Sequence, residues 1–249
     1  MTTQTAAVKG IGGMTVSERI PASRSLWKDA FYRLKKDRFA VLCLLMVMFY
    51  GLVATLAQFG LIATPWDRVV GPAYQAPSLS SLELILGTDI FGRSVFYKMI
   101  HGTRIAMSVG LISSMISIPI GVSLGALAGY FGGVIDDVVV WFYTTLSSIP
   151  NIMLLIAIAY VMGKGLSATY IALGITAWVS LARVIRGEFM KHKNRDYVLA
   201  AESLGVGHRS RIFKHILPNV SHFIIINMSI QFMGAIKSEV ILSFLGLGV

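Results

Sequence analysis

Long apolar runs alternate along this chain with short polar or basic segments. Phe39 to Ala63 carries no charged residue. At about 1.5 Å per helical residue it can cross a hydrocarbon core of about 30 Å with some tilt. A second run, Arg104 to Phe131, has Gly121, Gly125 and Gly129 every fourth residue, which clears one face for a close helix neighbour, and Pro119 as a candidate kink. Val138 to Met162 is a third, interrupted at Pro150-Asn151, where freed carbonyls and the Asn151 amide would face either a pathway or an adjoining helix. Leu166 to Ile185 and Pro218 to about Val240 complete the set. The pattern predicts an all-α integral membrane protein with helices at 39–63, 104–131, 138–162, 166–185 and 218–240. In the last of these, Asn227, Gln231 and Glu239 join Asn151 as candidates for lining a route, because polar groups inside a span need a partner or water.

Composition agrees with that reading. Of 249 residues 55% are hydrophobic and 14% charged, and the mean hydropathy is +0.71, outside the range of ordinary soluble domains. The net charge of +10 does not point to nucleic acid, since the basic residues gather at the ends of apolar runs. The single cysteine, Cys43, excludes an intrachain disulfide and a cysteine-built metal site.

Residues 1–38 are polar and too long for a secretory leader. They read as a cytoplasmic tail to about Ser23 and an interfacial helix from Leu26 to Ala40, with Trp27 and several Lys and Arg residues as anchors. Basic residues before the first span and again from Arg183 to Lys214 place both segments, and the N-terminus, on the cytoplasmic side. The loop 64–102, with Pro65, Pro72 and Pro77, is then outside, and Asp136 and Asp137 lie in a short cytoplasmic connection.

Between the last two apolar runs lies a polar, basic stretch, Asp196 to Pro218. Asp196 is a candidate cap for a short helix with Tyr197, Ala200, Ala201 and Leu204 on one face, and Gly205 suits the position just past its end. Arg209 to Leu217 reads as a second amphipathic arm with Ile212, Phe213, Ile216 and Leu217 on one side, and Pro218 opens the next segment. A helix-turn-helix bracket of this kind fits a groove on a partner; a solvated loop with one capped helix accounts for the same periodicity.

The residues themselves resemble the EAA loop of ABC importer permeases, Glu-Ala-Ala, three residues, Gly, nine residues, Ile, one residue, Leu-Pro. Ala200, Ala201, Gly205, Leu217 and Pro218 fall on that pattern, with Leu199 in place of Glu and His215 in place of Ile. His-Ile-Leu-Pro-Asn at 215–219 is the form associated with the oligopeptide/dipeptide/nickel permeases. Leu86-Gly87-Thr88-Asp89, followed by Gly92-Arg93, resembles the Leu-Gly-Thr-Asp motif of the C-type subunit, with Ser94 where Asp is usual; its expected physical role is a turn capping the next span. Ser243 to Gly248 resembles the same family, in which a further loop and a sixth span follow; five spans are expected here, with the sixth missing at the C-terminus.

The resemblance implies the transmembrane domain of a type I ABC importer, residues 103–249, with a cytoplasmic coupling loop at 186–217, in a bacterial inner membrane. It implies as partners a homologous B-type permease, two cytoplasmic ATP-binding subunits, an extracytoplasmic solute-binding protein and the lipid bilayer. ATP and Mg would be bound by the ATPase subunits, with no cofactor or metal in this chain. Ala200, Ala201, Gly205, His215, Leu217 and Pro218 would be the ATPase-coupling residues. No Walker A, His-Glu-x-x-His or Gly-x-Ser-x-Gly sequence is present, and Gly163-Lys164-Gly165 has the wrong flanks for a phosphate loop, so a translocation subunit rather than an enzyme is expected. A secondary transporter or channel, or a non-catalytic membrane assembly factor, are the alternatives. Among importers the cargo is open: dipeptide, longer peptide, glutathione-like solute or nickel chelate.

Overall fold

The computed structural model describes residue 32, residues 34–163 and residues 165–248. The expected tail, most of the expected interfacial helix (Leu26 to Phe31, and Arg33) and Lys164 lie outside the described residues.

The chain divides into two units, residues 1–49 and 50–249. The described part of the first is mainly the opening of helix α1 (Arg38–Gln58). Asp37 caps it: the Phe39 and Ala40 amides donate to its Oδ1 at 3.0 and 3.1 Å. The helix stops at Gln58 instead of running to Ala63. At Gly60 the amides of Gly60 and Leu61 turn back to the carbonyls of Ala57 and Leu56, a Schellman ending that apolarity alone does not reveal.

In the second unit, α2 (Val95–Phe131) begins before the expected Arg104. Ser94 is its N-cap, accepting from the Tyr97 amide at 3.2 Å, so the helix carries the polar residues Lys98, His101 and Arg104 beyond the apolar run. The Leu-Gly-Thr-Asp motif therefore does not cap this helix; it fastens the preceding loop. Thr88 Oγ1 donates to the Pro72 carbonyl (2.6 Å) and accepts from the Gln75 amide (2.8 Å). Asp89 accepts from the amides of Phe91 and Arg93 and pairs with Lys98 Nζ at 2.6 Å.

The third expected span, 138–162, is two helices, α3 (Gly133–Ser147) and α4 (Asn151–Met162), bent 87° at a break containing Pro150. Proline has no amide to continue the ladder, and its ring clashes with the carbonyl four residues back. Asp136 and Asp137, expected in a connecting loop, lie in the opening turns of α3. Helix α5 (Leu166–Lys193) runs past the expected Ile185. After the short α6 (Asp196–Ser203), α7 (His208–Phe244) is one continuous helix, with π-type turns over Arg211–Ile216. Four helices among the described residues are long and apolar enough to cross a membrane, or five if the bent α3–α4 pair counts as one span.

The main packing is α2 against α5. Gly121, Gly125 and Gly129 form the contact stripe: a Cβ at 125 would sit 2.5 Å from the Ala182 carbonyl oxygen, and those at 121 and 129 would press on the carbonyls of Trp178 and Arg186. Only hydrogen fits there, as the four-residue spacing anticipates. Over half of the apolar window of α5 (56%) is covered within the chain, against 11% for α7, so α5 is the central helix and α7 leaves most of its apolar surface to lipid or another subunit.

Candidate functional site

The bracket expected at Asp196–Pro218 is built mostly from the two long helices. Residues 186–193 belong to α5 and 208–217 to α7, leaving 194–207 outside them. The expected separate second arm, Arg209 to Leu217, is thus the first turns of α7. Pro218 stands in the first turn of the α-helical stretch Leu217–Phe244, as expected of a residue that opens a segment, but the π-type turns of Arg211–Ile216 run into it without a break and accommodate a residue that cannot donate to the carbonyl four back.

In α6 the N-cap is Arg195, and Asp196 is the first helical residue rather than the cap. Its C-terminus is a Schellman turn: the Gly205 amide bonds Glu202 O at 2.9 Å and the Val206 amide bonds Ala201 O at 3.0 Å, with Gly205 at φ +77°. This bears out Gly205 as the residue just past the helix end. The buried face differs from the expected one. Val198 and Ala201 are buried, while Tyr197, Leu199 and Leu204 are exposed, Leu204 to 83%. A helix of eight residues with apolar groups on both sides has no period that says which side packs; the tertiary neighbours choose.

Those neighbours are Ala126 and Tyr130 of α2, Leu181, Ile185 and Phe189 of α5, and Ile216 and Val220 of α7, which with Val198 form one apolar core. Leu217 packs against it from the edge, whereas Ala200 and Pro218 are exposed. His215 is half-buried, and its carbonyl accepts from Asn219 Nδ2 at 2.6 Å.

Charge reinforces the joint. Arg211 is buried; its Nη1 lies 2.5 Å from Glu202 Oε1 and its Nη2 3.1 Å from His208 Nδ1, with the Tyr130 ring centroid 5.9 Å away. Tyr130 Oη is 2.9 Å from the same His208 nitrogen. Arg186 of α5 grips both carboxylate oxygens of Asp136 of α3 through Nε and Nη2, the Nη2–Oδ2 distance being 2.6 Å. His192 at the end of α5 meets the Tyr197 hydroxyl at 2.7 Å. Sequence reasoning counted Arg211 and Arg186 only as basic residues of a loop, because no spacing rule links them to Glu202 or Asp136.

The pathway candidates scatter. Asn151 heads α4 on the wall of a cleft of about 320 Å³ at the α3–α4 bend, facing α5. Gln231 instead joins three helices: its Oε1 accepts from Ser117 of α2 (2.7 Å) and its Nε2 donates to the Ala177 carbonyl of α5 (3.2 Å). Asn227 donates to the Phe223 carbonyl of its own helix, and Glu239 is buried, accepting from Ser243 Oγ at 2.6 Å.

Helices of membrane-crossing length, with a polar bracket rooted in two of them, define a polytopic membrane protein. Sequence comparison agrees. Residues 121–249 match the binding-protein-dependent transport system inner membrane component family, and residues 25–77 match the N-terminal TM domain of oligopeptide transport permease C. The chain is 34% identical over 227 residues to the oligopeptide transport system permease protein OppC of Bacillus subtilis, covering 91% of this chain and 73% of that one. It is 36% identical over 227 residues to the dipeptide transport system permease protein DppC of the same organism (91% and 70%), and 31% identical over 229 residues to the glutathione transport system permease protein GsiD of Pectobacterium atrosepticum (90% and 74%). This chain belongs to the binding-protein-dependent transport system inner membrane component family and is a multi-pass inner-membrane permease.

Proposed function

We propose that the chain is the C-type permease subunit of an ATP-driven importer of peptides or related small solutes, working with a homologous permease, two cytoplasmic ATPases and an external binding protein. The relatives' names support the cargo class. The observation that carries the mechanism is α6, set in an apolar core on the direct extensions of α5 and α7. A push on α6 reaches two membrane helices through packed side chains and the Arg211–Glu202 pair. Its outward residues Tyr197, Leu199 and Leu204 form the surface an ATPase groove would take. In this reading the bracket and N-terminus face the cytoplasm, ATP is hydrolysed on the partner subunits, and their closure tilts α5 and α7 between inward-open and outward-open arrangements.

Gly205→Arg tests it. The Schellman turn needs a residue at φ +77°, where a Cβ costs roughly 1–2 kcal/mol, and the new side chain would stand on the docking face. Uptake by the assembled importer should be abolished while the protein still inserts in the membrane. Unchanged uptake, or a purified complex in which no ATPase touches residues 197–217, would overturn the coupling role.

A further inference from the structure

The cleft at the α3–α4 bend holds a cation that the fold leaves uncompensated. Arg183 of α5 lines it together with Ser147, Asn151, Thr176 and Ser180. One turn further along α5, Arg186 provides the contrast of an arginine with a carboxylate partner, the Nε–Nη2 edge of its guanidinium being held by Asp136. Arg183 has no carboxylate partner among the described residues: Nη2 donates to Ser147 Oγ at 2.7 Å, and its central carbon lies 4.9 Å from the Tyr143 ring centroid. A guanidinium has five N–H donors in a planar fork, so most of this one's capacity is unused. The Asn151 amide and the Ser180 hydroxyl, exposed on the same cleft as Arg183 is, have no hydrogen-bond partner among the described residues.

Arg183 lies about 26 Å along α5 from its first residue, near the far edge of a hydrocarbon core of about 30 Å. A charge at that edge reaches water, and one that also lines a polar cleft stands where a solute crossing the span would meet it. Two partnerless polar groups beside a positive charge, in a cleft of about 320 Å³, make a receptor for an anion with two acceptor oxygens.

We propose that Arg183, with Asn151 and Ser180 on the walls beside it, binds the carboxylate of the transported solute in transit. The inference rests on the importer reading above and deepens it. A C-terminal carboxylate is common to every free peptide whatever its side chains, so one arginine gives a handle that ignores sequence while still selecting for an acid. Between solutes, water in the cleft satisfies the same donors. The other source of a matching anion is the phosphate of a lipid headgroup, and the experiment separates the two.

The test uses the complete importer, nucleotide-free, in phosphatidylcholine vesicles, with Cys43→Ser and Thr176→Cys in this chain and a neutral maleimide as the label. Trialanine at millimolar concentration should slow labelling, and trialaninamide, which lacks the carboxylate, should need at least about tenfold more for the same protection, as expected for losing a charge-assisted hydrogen bond. Arg183→Gln should erase the difference between acid and amide, and Arg183→Lys should keep part of it, which separates charge from packing. Equal protection by acid and amide, no protection by trialanine, or a difference that survives Arg183→Gln would each overturn the proposal. So would protection reproduced by adding phosphatidylglycerol without peptide, which assigns the anion to lipid. Failure of the ATPases to copurify would instead overturn the importer reading.

Discussion

The guanidinium of Arg211 is turned into the protein, where Glu202, His208 and the Tyr130 ring surround it, so that a residue in a basic stretch serves as a pin between α6 and α7. Glu202 is about half exposed and rehydrates if abandoned, which limits the stability lost in Arg211→Gln to about 1–2 kcal/mol. Uptake should fall further than stability, about tenfold or more, because the pin transmits movement as well as holding structure. Thermal melting and uptake measured on the same complex check this, and a loss of uptake no larger than the loss of folded protein would contradict it. At the other end of α2, Lys98 and the amides of Arg93 and Phe91 hold the Asp89 carboxyl down to a pKa of about 2. A depressed carboxylate stabilises the fold above its unfolded pKa of about 3.9 and loses that contribution as pH falls through its folded value. Exchange protection of the Phe91 and Arg93 amides should therefore hold at neutral pH and decline between about pH 4 and pH 2. Asp89→Asn should lower it at neutral pH and flatten the decline.

Among the elements, the α2–α5 pair sets the distance on which the rest depends. Gly125→Leu places a side chain where a single Cβ already meets the Ala182 carbonyl at 2.5 Å, and backbone cannot step aside as a side-chain tip can. The two helices must separate, at a cost of about 3 kcal/mol or more. The expected result is a lower melting temperature in detergent and poor recovery of folded protein; a variant as stable as the parent would mean that the stripe is not a contact. The bent α3–α4 pair contrasts with α7, where Pro218 is absorbed with the helix unbroken. Both prolines interrupt the amide ladder. At Pro218 the preceding π-type turns carry the mismatch, whereas at Pro150 the chain leaves helical geometry and turns by 87°. The cleft containing Asn151 and Arg183 exists because of that difference.

Over the whole molecule, the loop before Val95 and the bracket sit at opposite ends of α2, whose 37 residues span about 55 Å. That exceeds a bilayer's hydrocarbon core of about 30 Å, so the two polar regions lie on opposite sides of it. In a Cys43→Ser background, a cysteine at Ser78 should react with an impermeant reagent from outside, and one at Ser203 only from inside. The reverse pattern would invert the proposed orientation. Much of this was legible in the sequence. Hydropathy located the spans because the transfer free energy of a run of side chains is a local sum. The glycine spacing located the α2–α5 contact because a four-residue repeat falls on one helix face, and Gly205 marked the end of α6 because a left-handed residue there follows from chain geometry alone. Helix limits were less legible, since Ser94, Gly60 and the π-type turns set them through hydrogen bonds that a hydropathy pattern does not contain.

The amino-acid sequence by itself determined that this is a helical membrane protein of the permease family, with a bracket at Asp196–Pro218 and a turn at Gly205. Only the tertiary structure decided which face of α6 is buried, that Gln231 joins three helices while Asn151 lines a cleft, and that Arg186 and Arg211 have carboxylate partners while Arg183 has none among the described residues. The physical reason is range. Apolarity, helical period and backbone handedness act between neighbours along the chain, whereas an ion pair or a buried face depends on residues tens of positions apart that only folding brings within a few ångströms.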